Sequence, residues 1–329
     1  MRKFNFRLLV FSLPVIGLLW PLDYFLSYNL KKSNEYPGEL EVMNDIYNGN
    51  LNCDIAVYGS SRAWTQFNPI IMENSLRMNV YNFGIDGHNF WIQYLRHLEY
   101  IKHNKKPKLI ILVVDIFSLQ KRMDLNEPIQ FMPYMLWNKN IREYTSSYKY
   151  LNKLEYYIPL IRYAGKRNTL NTAIKNISRS SKDSKKYRNK GYKGMVREWT
   201  DDFDKAKAEM KQYNIVLDTA SITLFDRFIN ECRALNIKLM FVYTPEYIDG
   251  QKFVSNRKDV FDIYKWYAKK YNLVFLDYSS DELSFKKELF YNASHLNSKG
   301  ADLFTYKLTS DLKNIDAIGT ATMRASILN

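Results

Sequence analysis

The chain has 329 residues, enough for about two domains at roughly 150 residues each, or for one α/β domain with an insertion. Hydrophobic residues at 46% and charged residues at 25% exclude a disordered polymer. The 48 Lys and Arg against 34 Asp and Glu leave a net charge of +14, which favours an anionic partner such as nucleic acid, lipid headgroups or acidic polymer. Two cysteines, Cys53 and Cys232, exclude a disulfide scaffold and a four-cysteine zinc site, and both read as core packing.

The chain opens with Arg2, Lys3 and Arg7, followed by the apolar run LLVFSLPVIGLLWPLDYFL over residues 8–26. A basic start before an apolar run predicts a membrane anchor. No small-residue cleavage site follows, since the first alanine is Ala56. Trp20, Tyr24 and Tyr28 suit an interfacial aromatic belt, and Asp23 is expected at the far interface. The positive tail places residues 1–28 as a cytoplasmic tail and single-pass transmembrane helix, with the rest of the chain exported. Export makes nucleic acid an unsuitable partner. Residues 29–50, with Pro37-Gly38 and Asn48-Gly49, read as a linker.

Five short apolar runs follow: CDIAVYGS (53–60), MNVYNFG (78–84), KLIILVVD (108–115), IKLMFVYT (237–244) and NLVFLDY (272–278). Each reads as a strand buried on both faces. Helical patterns near 88–104, 216–235 and 255–271 lie between them. This alternation predicts a parallel sheet covered by helices on both faces, with ligand sites at the carboxyl ends of its strands. The stretch 117–215 is too long for a simple crossover and reads as a helical insertion between strands three and four. Within it, Leu151, Leu154, Ile158 and Ile161 predict one helical face, kinked at Pro159. The basic run at 179–194 predicts a mobile, solvated loop. His97 and His103 are expected to be solvated, and the many aromatic residues to fill the core.

The chemistry gathers at the strand ends. Strand one runs into Gly59-Ser60-Ser61-Arg62, placing a hydroxyl in the crevice, and Arg62 is a candidate for a substrate carboxylate or phosphate. Strand two ends in Asn82-Phe83-Gly84-Ile85-Asp86-Gly87-His88, where glycines let amide groups approach a ligand. Past strand five, His295 precedes Asn297, a good N-cap for a last helix, and is placed as a base. No metal-ligand spacing, phosphate loop or dinucleotide fingerprint is present, so neither metal nor cofactor is expected.

Together these residues resemble the SGNH (GDSL-type) hydrolase superfamily, and more specifically its membrane-anchored branch associated with cell-envelope acylation. The resemblance runs from about 53 to 310, through the strand ends and the HLNSKGA segment. It implies a flavodoxin-like three-layer sandwich with a five-stranded parallel sheet, over residues 51–316, with a C-terminal tail at 317–329. It implies Ser61 as nucleophile, His295 as base, and the Ser61 and Gly87 amides as oxyanion donors. Two positions depart from the family. Asn292 stands three before His295 where the family has Asp; either Asn292 orients the imidazole, or Asp277, Asp281 or a backbone carbonyl does. Asp115 stands after strand three where the family has an oxyanion-stabilising Asn, and is a candidate to meet substrate. The implied function is a serine esterase or O-acyltransferase on acyl, foremost acetyl, esters of cell-surface polysaccharide, beside membrane lipid and a polytopic O-acyltransferase. The alternative is a non-catalytic partner of such a transferase that positions polymer. A lipase reading lacks an apolar lid.

Overall fold

A computed structural model describes residues 2–179 and 186–315. Residues 180–185 of the basic run and the expected tail at 317–329 lie outside the described residues. The chain divides into two compact units: Met1–Asn44 with Met123–Tyr187, and Asp45–Arg122 with Arg188–Asn329.

In chain order the elements are α1 (Arg2–Lys31), α2 (Glu39–Tyr47), β1 (Ile55–Tyr58), α3 (Ser61–Gln66), α4 (Pro69–Leu76), β2 (Val80–Asn82), α5 (Phe90–His103) and β3 (Leu109–Val113). There follow α6 (Lys139–Thr145), α7 (Arg167–Lys175), α8 (Asp202–Glu209), α9 (Thr219–Ala234), β4 (Lys238–Tyr243), α10 (Ile248–Lys252) and α11 (Arg257–Tyr271). The chain closes with β5 (Val274–Asp277), the hairpin β6 (Phe290–Asn292) and β7 (His295–Leu296), and α12 (Ser298–Asn314).

In the second unit, β1 to β5 form one parallel sheet in the order β2-β1-β3-β4-β5. This is the order of flavodoxin-like doubly wound sheets, whose ligand crevice opens at the carboxyl ends of β1 and β3. Strand residues alternate between two cores, as the two-residue period requires. Ile55, Val57, Ile111, Val113 and Val242 pack with Phe67, Phe304 and Leu308 from the α3, α4 and α12 side. The opposite face is aromatic: Tyr58 lies 6.3 Å from Phe228, Phe241 5.4 Å from Phe225, and Tyr243 4.6 Å from Phe261, ring centre to ring centre. Truncating one such buried ring costs about 3–5 kcal/mol. The aromatic wealth of the sequence is therefore largely core.

In the first unit, α1 runs past the expected end of its apolar segment. No described side chain between residues 3 and 22 is buried, whereas Asp23, Ser27, Asn29 and Leu30 are. Asp23 is only 3% exposed. It accepts from Arg162 Nη2 at 2.5 Å and from the Leu160 amide at 2.7 Å, so its charge is paired within protein. Residues 29–50, expected as a linker, carry the end of α1 and all of α2, with Leu40, Val42, Met43 and Ile46 buried.

The amphipathic helix expected around residues 149–166 is absent. Two 3₁₀ turns, Lys153–Tyr156 and Ile161–Tyr163, take its place, joined through Leu160 at φ 67°. Pro159 disfavours helical geometry in the residue before it, which explains the break. Of the expected apolar face only Leu151 is buried, while Leu154, Ile158 and Ile161 are exposed.

Candidate active site

β1 delivers its carboxyl end directly into α3. Gly59 sits between them at φ 149°, and a Cβ there would lie 2.8 Å from Val113 Cβ and 2.9 Å from Val113 O. Only glycine fits so close to the neighbouring strand. Ser60 is the N-cap of α3, its hydroxyl oxygen accepting from the Arg62 amide at 3.4 Å. Ser61 is thus the first residue of the helix. Its amide has no intrahelical acceptor, and its side chain projects at the crevice.

His295 comes from the β6–β7 hairpin. Its Nε2 lies 2.7 Å from Ser61 Oγ, and its Nδ1 lies 2.9 Å from Asn292 Oδ1. The same Asn292 oxygen accepts from the amides of Ser294 at 3.1 Å and His295 at 3.0 Å. Those two backbone donors fix which end of the Asn292 amide faces the ring. Nδ1 must then carry the proton, and Nε2 is left as an acceptor for the Ser61 hydroxyl. Asn297 caps α12 by accepting from Gly300 N at 3.0 Å and holds the segment after His295. Burial, and secondarily the Arg62 guanidinium, push the His295 pKa down to about 3, so the ring is neutral at ordinary pH.

The exit of β2 is tied to the same helix. Asn82 Nδ2 donates to the carbonyls of Ala63 and Phe67 at 2.8 and 2.9 Å. Gly84 passes so close that a Cβ would meet Trp64 N at 2.3 Å. The turn beyond it holds Gly87 at φ 65° and is linked to α3 through Trp64 Nε1, which donates to Asp86 Oδ1 at 3.3 Å. Arg188, from the expected mobile basic run, is buried, stacks 4.2 Å over the Trp64 ring and donates to Gly84 O at 3.0 Å. Lys190 pairs with Glu73 at 2.6 Å. The described end of that run is therefore built into the fold.

Other expected residues stand elsewhere. Arg62 is 3% exposed and turned inward: its Nε donates to Thr244 Oγ1 at 2.9 Å, and its Nη2 to Thr244 O at 2.7 Å. It holds the end of β4 and is not presented to substrate. Asp115 is also buried, with Oδ2 accepting from Ser60 Oγ at 2.5 Å and Oδ1 from the Phe117 amide at 2.7 Å. Both its oxygens are committed to the crevice walls, so it braces the serine turn where a substrate contact was expected. Asp277 accepts from the Ser279 amide and Asp281 from the Leu283 amide, so each caps its own loop. Asn292 is the group that orients His295. His97, expected in solvent, is buried against Phe228, with Nδ1 3.1 Å from Tyr58 OH; burial pushes its pKa down to about 3. His103 lies against the Tyr47 ring at 4.5 Å and 3.7 Å from Glu99. Burial pushes the Cys53 thiol up to about 11. Among the described residues no cluster of three or more His, Cys, Asp or Glu is placed to hold a metal ion.

Two features escaped the sequence reading. Tyr291 stacks on the His295 ring, 5.3 Å between centres and 13° from parallel. A cavity of about 350 Å³ opens beside His295, lined by Ile116, Phe117, Phe203, Met210, Phe253 and Ala293 among others. Its apolar walls come from α8, α10 and the loop after β3, which carry no motif of their own.

No protein family description matches the sequence, and no curated protein matches it. Solved structures do resemble it. One is a protein from Desulfitobacterium hafniense DCB-2 named as lipolytic and of the G-D-S-L family, at 13% identity and TM-score 0.38 over 78% of this chain and 97% of that one. Another is a Streptococcus pneumonia protein named for platelet activating factor, at 12% identity and TM-score 0.39 over 84% and 92%. A third is a Bacteroides fragilis NCTC 9343 protein named as an acylhydrolase, at 12% identity and TM-score 0.31 over 78% and 86%.

Proposed function

We propose that the chain is a membrane-anchored serine esterase or O-acyltransferase of SGNH type. The observation that carries this reading is the relay from Ser61 Oγ through His295 to Asn292 Oδ1, at 2.7 and 2.9 Å, standing at the carboxyl end of a parallel sheet. His295 takes the Ser61 proton as the hydroxyl oxygen attacks an ester carbonyl, and Asn292 holds the ring in the one useful tautomer. The Ser61 amide and the Gly87 turn supply the oxyanion donors. The tetrahedral intermediate then collapses to a Ser61 acyl ester and releases the alcohol, protonated by His295. Water or a second hydroxyl takes the acyl group off by the same steps in reverse.

The substrate in this reading is an acyl ester of a cell-surface polysaccharide. The net charge of +14 favours an acidic polymer, and the apolar cavity beside His295 leaves room for acyl chains longer than acetyl. One helix among the described residues, α1, is long and apolar enough to cross a membrane. With Arg2, Lys3 and Arg7 on the cytoplasmic side it anchors an exported catalytic unit, where a polytopic O-acyltransferase is a fitting partner. The non-catalytic alternative drew on Asn292 and Asp115. Asp115 no longer favours it, because both its oxygens are engaged within the fold. Purified full-length protein should release 4-nitrophenol from short-chain 4-nitrophenyl esters, and the Ser61→Ala variant should not. Equal rates for the two would end the enzyme reading.

A further inference from the structure

We propose that the first unit carries an apolar collar that seats it in the bilayer interface, and that lipid, not protein, covers it. The proposal rests on the reading of α1 as the membrane anchor. The collar is the exposed apolar group Trp137, Leu154, Tyr157, Ile158 and Ile161, gathered beside Trp20 of α1.

Three contacts fix its level along the helix. Trp137 packs against Trp20 with ring centres 4.0 Å apart. The Leu160 amide and Arg162 both bond Asp23, less than one turn further on. Tyr163 OH lies 2.7 Å from Ser27 Oγ, one turn beyond that. The loop 157–163 is thus clamped onto α1 just where its side chains pass from exposed to buried. Trp137 Nε1 also donates to Tyr157 O at 3.0 Å, joining the two halves of the collar.

The exposure pattern gives the depth. Residues 4–22 have no buried described side chain, and at 1.5 Å per residue they rise roughly 28 Å, about one hydrocarbon thickness. The first buried charge, Asp23, marks the end of that span. The collar flanks the helix there, held by Trp137 on Trp20 and by the loop bonded to Asp23. Trp137 is 58% exposed and Leu154 52%, large apolar side chains that water does not favour. Trp and Tyr at this level are what an interface selects, because their amphipathic rings sit at the headgroup level. Here the Trp137 N–H is satisfied by Tyr157 O and the Tyr157 hydroxyl by Arg142, so the rings present apolar faces. The occupant is fixed by continuity: a helix whose apolar surface lies in lipid delivers the adjoining apolar surface to the same lipid. A span tethered only by a flexible linker would leave the unit free to lift away, whereas a clamped collar fixes its height.

The test uses full-length protein in phosphatidylcholine vesicles whose acyl chains are brominated at a shallow or a deep position. Cys53 and Cys232 are buried and stay unlabelled, so Ile158→Cys and Val10→Cys can each carry one environment-sensitive fluorophore. The Val10 label should be quenched most by deep bromines. The Ile158 label should be quenched most by shallow bromines, at least twofold over unbrominated vesicles, with a blue-shifted emission. A quenched Val10 label with an unquenched Ile158 label overturns the collar and leaves the anchor standing, whether the Ile158 label is open to iodide or shielded from it by protein. An unquenched Val10 label overturns the anchor, and the collar with it.

Discussion

Asn292 Oδ1 meets His295 Nδ1 at 2.9 Å, in the place where a serine triad has a carboxylate. The contact supplies orientation without charge. In a serine protease the Asp-to-Asn change costs about 10⁴ in kcat because the amide presents the wrong tautomer partner. Here the amides of Ser294 and His295 hold the Asn292 oxygen toward the ring, so the tautomer is right and only the charge is missing. Asn292→Asp keeps all three acceptor contacts and adds the negative charge beside the developing imidazolium. Ester turnover should rise by about 10-fold or more, well short of the protease figure. Asn292→Ala should lower it. A slower Asp variant would show that charge is not what the relay lacks.

In the proposed mechanism Ser61 and His295 act in one step, so their losses should not add. Ser61→Ala and His295→Ala should each remove turnover, and the double variant should be hardly worse than either. Rate measurements on the three variants that multiply as independent factors would separate the two residues mechanistically.

The pH dependence follows from burial. His295 must be neutral to act as base, and its pKa is pushed down to about 3, against an ordinary 6.5. The acid limb of kcat/KM should therefore lie well below pH 6. His97 is likewise pushed down to about 3. Between pH 3 and 6.5 the unfolded chain holds protons on both rings that the folded one does not, so stability falls as pH drops through that window. Urea midpoints at pH 4.5 and 7 should differ, and His97→Leu should narrow the difference. Equal midpoints would contradict both assignments.

Arg62 serves the frame and the electrostatics, not the substrate. Arg62 Nη1 lies 3.9 Å from the buried Glu246 carboxylate, and Arg62→Met leaves Glu246 paired with Arg257 at 2.8 Å, so the loss should sit near the lower end for a broken buried pair, about 3 kcal/mol by denaturant unfolding. KM should hold, and the acid limb should move up, because the guanidinium helps depress His295. A raised KM with unchanged stability would return Arg62 to substrate binding.

In the proposed mechanism the cavity beside His295 receives the acyl chain and sets its length. At about 350 Å³ with apolar walls it should favour esters of six or more carbons over acetate in the wild type. Ala206→Trp, from α8, fills it and should shift the optimum of a 4-nitrophenyl ester series towards acetate with kcat on acetate kept. An unchanged profile would place the acyl group elsewhere.

Much of this was legible in the sequence. Strands β1 to β4 could be read because both faces of each are covered, so they appear as unbroken apolar runs. β5, at the sheet edge and only partly buried, was legible from its apolar Val274-Phe275-Leu276 alone, and the three long helices between the strands show the helical period. Ser61, His295 and Asn292 stand at strand ends and in a tight hairpin, where local spacing fixes geometry. The inward turn of Arg62 was not legible, because its partners at Thr244 and Pro245 are 182 and 183 positions away. Asp115 could not be placed without knowing that Ser60 lies across the crevice. The 149–166 stretch shows the helical period and yet forms two 3₁₀ turns, since Pro159 breaks it and the clamp on Asp23 holds the remainder. Its exposed Leu154, Ile158 and Ile161 belong to the proposed collar.

The central claim is that Ser61 is a nucleophile activated by His295, and covalent capture tests it most directly. Full-length protein treated with a fluorophosphonate and digested should carry the phosphonyl group on the peptide containing Ser61, as read by mass spectrometry. His295→Ala should react at least 100-fold more slowly, and Ser61→Ala should not be modified. An unmodified wild type, or modification at another serine with Ser61 untouched, would contradict the account.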